Sequence, residues 1–129
     1  MANHSIVHIE LPSINSKEDA QFYNDAFGWA TNSMPSGASD YYMYTPIEGP
    51  GGGFNPVGDG ADNNLPIKPG EVIVYVSTDD INESLARIES LGGKTIMPKS
   101  PIPGMGWMAL FTDPTGNRVG LYTNDANAG

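Results

Sequence analysis

The chain has 129 residues and a formal net charge of −9, a length that suits one domain with a real hydrophobic core. Its acidity repels phosphate backbones and anionic lipid, which excludes nucleic acid and membrane surfaces as expected partners. Cysteine is absent, no signal peptide is visible, and no stretch approaches the roughly 20 apolar residues of a membrane span, so the expected location is the cytoplasm.

Sixteen glycines and eleven prolines imply many turns and short strands rather than a helical bundle. A strand is expected over residues 5–11. Asn15 can then cap a helix over 16–27, with Glu18 as its capping-box partner. Ala20, Tyr23 and Phe27 share one face of that helix, and Gly28 stops it. A weak strand at 29–33 precedes an aromatic one at 41–45, on which either Tyr42 with Tyr44 or Tyr41 with Met43 faces inward. Residues 48–70, rich in Gly, Pro, Asn and Asp, read as an edge strand (53–57) followed by a flexible linker. Gly51-Gly52-Gly53 is no phosphate loop, because no GK[ST] follows it and no helix starts there.

The second half repeats the first. A strand over 71–77 leads into a helix over 80–91, where Asp80 precedes Glu83 by three residues. Ile81, Leu85 and Ile88 form its buried stripe, and Gly92-Gly93 ends it. Strands follow at 94–97, 107–112 and 117–123, with a loop between Pro98 and Gly106. Met97, Met105, Met108 and Trp107 make an adaptable apolar surface there, serving either as a ligand contact or as a hydrophobic plug. The repeat spans about 65 residues and aligns Phe27-Gly28 with Leu91-Gly92 and His8 with Ile73. The domain therefore divides into module one (4–57), a linker (58–70) and module two (71–124).

These segments carry a resemblance. HIELPSINSKEDAQFYNDAFGW (8–29) is similar to the opening module of the vicinal oxygen chelate superfamily, which includes glyoxalase I, bleomycin-resistance proteins and extradiol dioxygenases. VIVYVSTDDINESLARIESLGGK (72–94) resembles its second module, and GMGWMALFTDPTGNRVGLY (104–122) its closing hairpin. The resemblance implies an α+β fold of two βαβββ modules, whose curved mixed sheets enclose a cavity with the helices outside. It also implies a homodimer. Strand alternation then assigns the faces. Val7, Ile9 and Leu11, Val72, Val74 and Val76, and Val119 and Leu121 pack outward. His8, Glu10, Ile73, Tyr75, Gly120 and Tyr122 face the cavity as ligand-binding candidates, with Trp107 near its mouth.

Metal-binding members of this family supply four ligands from inward strand positions. The resemblance places these at His8, within residues 51–55, at Ile73 and at Gly120, so one usual ligand of four is present. Catalytic zinc commonly needs three protein ligands, and the expectation is no metal and no cofactor. If the register holds, Ile73→His with Gly120→Glu would restore three ligands. A lone inward histidine is more often a hydrogen-bonded structural group, here with Glu10 or Tyr122, than a catalyst.

Three functions are compatible with these residues. The first is a metal-free pocket for a small, partly apolar molecule, as in the bleomycin-resistance relatives, and it is the expected one. The second is a metal-dependent isomerase or lyase of glyoxalase I type, which needs a Lewis acid and a carboxylate base. The third is an interaction domain with a vestigial cavity.

Overall fold

Asn15 starts the first helix. Its side chain accepts the Glu18 N–H at 3.0 Å, and the chain leaves through Gly28 in the left-handed region at φ 74°. The computed structural model describes residues 4–36, 39–57 and 67–129, with side chains at all of these except 34–36 and 39–41. The elements follow the expected order. They are β1 (Ile6–Ser13), α1 (Ser16–Phe27), β2 (Ala30–Ser36), β3 (Ser39–Thr45) and β4 (Gly51–Pro56), then β5 (Ile73–Ser77), α2 (Ile81–Ser90), β6 (Lys94–Ile102), β7 (Gly106–Thr112) and β8 (Arg118–Asn124). The chain divides into two compact units, His8–Ile73 and Met1–Val7 with Val74–Gly129. Among the described residues, no helix is long and apolar enough to cross a membrane.

In the first unit the strands run β2-β3-β4-β1, with β1 parallel to β4 and the other pairs antiparallel. The glycine-rich strand β4 is therefore interior, not the edge strand its composition suggests. Glycine fits there because the neighbours come close. A Cβ on Gly52 would lie 1.8 Å from the Ile9 carbonyl oxygen and 2.6 Å from the Tyr44 hydroxyl. The linker expected over 58–70 falls mostly outside the described residues. Its described end is anchored by buried Ile67 and by the Lys68 N–H, which donates to Glu71.

Cross-strand partners share a face, which settles the aromatic strand. Tyr42 pairs with Phe54 and Tyr44 with Gly52, on the side covered by α1. Ala20, Tyr44 and Phe54 form the core there, with Leu11, Tyr23, Trp29 and Tyr42 packed against it. Trp29 stacks on Tyr44 at 4.8 Å and on Tyr23 at 5.2 Å. Met43 is left on the opposite face with Gly53 and Glu10. Phe27, expected on the buried face of α1, is 65% exposed, with its ring tilted against Tyr23 and Trp29. It sits on the last turn of α1.

Tyr44 is a useful reporter of this core. Its hydroxyl donates to the Ile9 carbonyl at 2.8 Å, and its pKa is pushed up to about 12 by burial first, then by the Glu10 charge and Tyr23. The raised value means that the folded state holds the proton more tightly than the unfolded one. The resulting stability is complete below the ordinary tyrosine pKa of about 10 and disappears as pH rises toward the folded value. A Tyr44→Phe variant should lose about 1 kcal/mol at neutral pH. Its stability should also fall less steeply than the parent's across that alkaline window in denaturant titrations. Parallel pH curves for the two proteins would contradict this.

The second unit repeats the plan as β5-β8-β7-β6, with β5 parallel to β8. Asp80 caps α2 by accepting the Glu83 N–H at 3.0 Å. Ile81 and Leu85 bury against Ala109 and Leu121, with Val76, Ile88, Trp107 and Phe111 around them. Val72 departs from the expected outward set: it precedes β5, lies 48% exposed, and packs in the first unit instead. Residues 98–102, expected as loop, continue β6. Register shifts between Thr95 and Met97 and between Met97 and Ser100 absorb the prolines, and this outermost strand spares their missing N–H groups. The turn is confined to 103–105, where Gly104 N–H donates to Ala128 and Asp125 N–H to Met105.

Candidate functional site

The face of module one turned away from α1 is where titratable groups gather. Glu10 is 5% exposed, and each of its carboxylate oxygens has a side-chain partner. The His8 Nε2 nitrogen bonds Oε2, and the Asn55 side-chain amide donates to Oε1 at 3.2 Å. A carboxylate can only accept, so the Nε2 nitrogen is the donor. Parity explains the grouping: His8 and Glu10 alternate with Ile9 and Leu11, and Asn55 sits opposite Pro12 across the β1–β4 ladder. Of the two partners expected for His8, the structure supplies Glu10. Asn55 is legible in the sequence only as a weak oxygen donor; the register gives it a role as holder of the carboxylate.

In module two the corresponding face is aromatic. Tyr75 pairs with Gly120, and a Cβ on Gly120 would fall 2.3 Å from the Tyr75 ring. The space that the absent side chain leaves is thus filled by a phenol ring instead of remaining open. Leu110 lies opposite Gly120 and Met108 opposite Tyr122, so both share this face. The Tyr122 hydroxyl donates to the Met105 carbonyl at 3.0 Å, with Asn124 Oδ1 at 3.2 Å, and burial raises its pKa. Ile73 is buried at the start of the same strand as Tyr75, two residues away.

Trp107, expected at the cavity mouth, is on the other side of its strand. It alternates with Met108 and joins Ala109 and Phe111 under α2. Its indole N–H donates to Asp125 at 3.0 Å, and the Lys99 ammonium lies 4.8 Å from the ring centroid. The Asp125 carboxyl is held below its ordinary range by the Asn127 N–H first, then by this indole. The turn after β7 is a self-contained Asx structure. Asp113 accepts from the Asn117 side chain and from the backbone of Thr115, Gly116 and Asn117, which depresses its pKa.

The donor set does not suit a divalent ion. Among the described residues no group of three or more His, Cys, Asp or Glu side chains is placed to share one. The His8 Nε2 and the Asn55 side-chain N–H are directed at Glu10, and Gly120 offers no side-chain donor.

Comparison with known proteins agrees with the architecture. Residues 5–121 match the Glyoxalase/Bleomycin resistance protein/Dioxygenase superfamily, and the chain belongs to it. "Putative glyoxylase CFP32" of Mycobacterium tuberculosis is 28% identical over 123 residues, covering 94% of this chain and 46% of its own. Anthracycline biosynthesis protein DnrV of Streptomyces peucetius is 32% identical over 126 residues, covering 88% of this chain and 44% of its own. The chain thus spans a little under half the length of these relatives. Among solved structures, methylmalonyl-CoA epimerase from Mycobacterium tuberculosis superposes with a TM-score of 0.71 at 9% identity, covering 96% of this chain and 89% of that one. A superfamily member from Vibrio splendidus gives 0.65 at 13% identity, covering 95% and 100%. These likenesses establish the fold, two βαβββ modules of the glyoxalase/bleomycin-resistance type.

Proposed function

We propose that this chain binds a small, partly apolar molecule without a metal ion, anchored by the His8–Glu10–Asn55 trio. The carrying observation is a nearly buried carboxylate, held by a histidine and an amide, on a sheet face shared with Pro12, Asn32, Met43, Gly51 and Gly53. A few fixed polar groups on an apolar wall are the usual composition of a ligand site. Ile73, in the same compact unit as the trio, is proposed as a further contact on strand parity alone, while Trp107 is withdrawn because it packs under α2. A planar, hydroxylated aromatic is the ligand class we take, and the similarity to a protein named for anthracycline biosynthesis supports that choice. The glyoxalase I reading needs a Lewis acid, and the donor set gives it no support.

The test is calorimetric titration of the purified chain, in excess chelator, with a hydroxyanthraquinone. Binding should persist in chelator and weaken about tenfold in His8→Ala, the loss expected for one hydrogen bond to a polar anchor. Amide NMR shifts should centre on His8, Glu10 and Asn55. Binding that appears only after zinc or nickel is added would overturn the reading. So would turnover of the glutathione hemithioacetal of methylglyoxal on metal addition.

A further inference from the structure

The opposite side of module one holds a separate concavity. Between β1, α1, β4 and the segment entering β5 lies a depression of about 390 Å³. Its apolar lining comes chiefly from Leu11, Phe22, Tyr23, Phe54 and Val72, and polar atoms make up nearly half of the lined surface. Phe22, one of these lining residues, is 60% exposed. Among the described lining residues one is charged, Asp19, on the first turn of α1. The buried Ser13 hydroxyl donates to its Oδ2 at 2.5 Å and fixes the carboxylate.

We propose that this depression is a second binding site, taking a small aromatic amine. Its volume lies in the range of about 300–1,000 Å³ typical of small-molecule pockets, and it combines apolar side chains with placed polar groups as such pockets do. An aromatic body suits the lining because it can meet the Phe22 ring, which stands perpendicular to Tyr23, by face or edge. The carboxylate selects the sign of the polar group. An ammonium would pair with Asp19 and also be attracted by the neighbouring aromatic faces, whereas a carboxylic acid would be repelled by both. The chain's net charge of −9 acts in the same direction by concentrating cations near its surface. Leu11 and Phe54 lie on the helix face and Glu10 on the other, so this site is independent of the anchor described above.

The experiment uses the full chain and 1-naphthylmethylamine, with neutral 1-naphthalenemethanol as its comparison. Methyl NMR should show shifts at Leu11 and Val72 on amine titration. The alcohol should bind about tenfold more weakly, and Asp19→Asn should impose a similar loss on the amine alone, as expected for a charge-assisted hydrogen bond. Phe22→Ala, at an exposed position, should weaken both probes together while leaving the thermal midpoint nearly unchanged. Equal binding of amine and alcohol would overturn the proposal. So would an amine affinity that Asp19→Asn leaves unchanged, shifts confined to the Glu10 face, or no response up to about 5 mM amine.

Discussion

Gly120→Glu is expected to destabilise the second module severely instead of restoring a metal ligand. The Tyr75 ring occupies the place of the missing Cβ, with ring carbons 2.3–2.7 Å from where that atom would stand. Even Gly120→Ala forces the ring off its site. Overpacking of this kind costs about 1–3 kcal/mol, a fall in Tm of roughly 5–10 °C for a domain of this size. Glutamate adds the burden of a carboxylate beside buried Leu110 and Tyr75, so its loss should exceed that of alanine. The pairing of Ile73→His with Gly120→Glu, attractive from strand parity, therefore fails on sterics before metal chemistry is reached. A double-mutant cycle isolates the cause. In a Tyr75→Ala background, Gly120→Ala should cost well under about 1 kcal/mol, because nothing then fills the space above it. Equal costs in both backgrounds would show that the ring does not cover Gly120.

Tyr75 also marks where sequence reading stops. Alternation puts Gly120 and Tyr75 on one face, and the structure agrees. It cannot say that one fills the vacancy of the other, because register between distant strands is a tertiary fact. Both helices are legible from their caps, Asn15 with Glu18 and Asp80 with Glu83, since capping is local chemistry. The three-glycine strand reads as an edge for the same reason in reverse. Composition reports flexibility, whereas close approach by Ile9 and Tyr44 is what selects glycine at 52. Residues 98–102 read as loop because prolines usually end strands, yet bulges on an outermost strand absorb them. The methionine neighbours of Trp107 draw it toward the ligand, but strand parity, applied to β7 as to β5 and β8, turns it toward α2. In the candidate site, His8 and Glu10 are readable from one strand's alternation. Asn55 needs the β1–β4 register, which links residues 45 apart.

Glu10→Ala is expected to cost about 3 kcal/mol and to abolish ligand anchoring. Alanine removes the acceptor of both the His8 and Asn55 side chains, and their donors lose a charged partner in a largely buried setting. Breaking a buried charged pair from one side typically costs about 3–5 kcal/mol. Partial exposure of His8 places this site toward the lower end, a Tm decrease of roughly 10 °C. Glu10→Gln separates stability from binding. It keeps the shape and one carbonyl acceptor but loses the charge, so it should recover most of the stability. If the carboxylate serves only the fold, the Glu10→Gln protein should bind the anthraquinone as the parent does. If it orients His8 toward a ligand, as proposed, affinity should fall about tenfold although the Tm is nearly restored. Asn55→Ala should resemble the stability loss in miniature, about 1 kcal/mol, and its effect should vanish in the Glu10→Ala background. An additive pair would mean that the two side chains do not act on one another, and the trio would not be a unit. A buried carboxylate is costly to hold, and apolar replacements at such positions are often neutral or stabilising in other proteins. Its presence on this face, with two side chains committed to orienting it, is the physical reason to look for a ligand there.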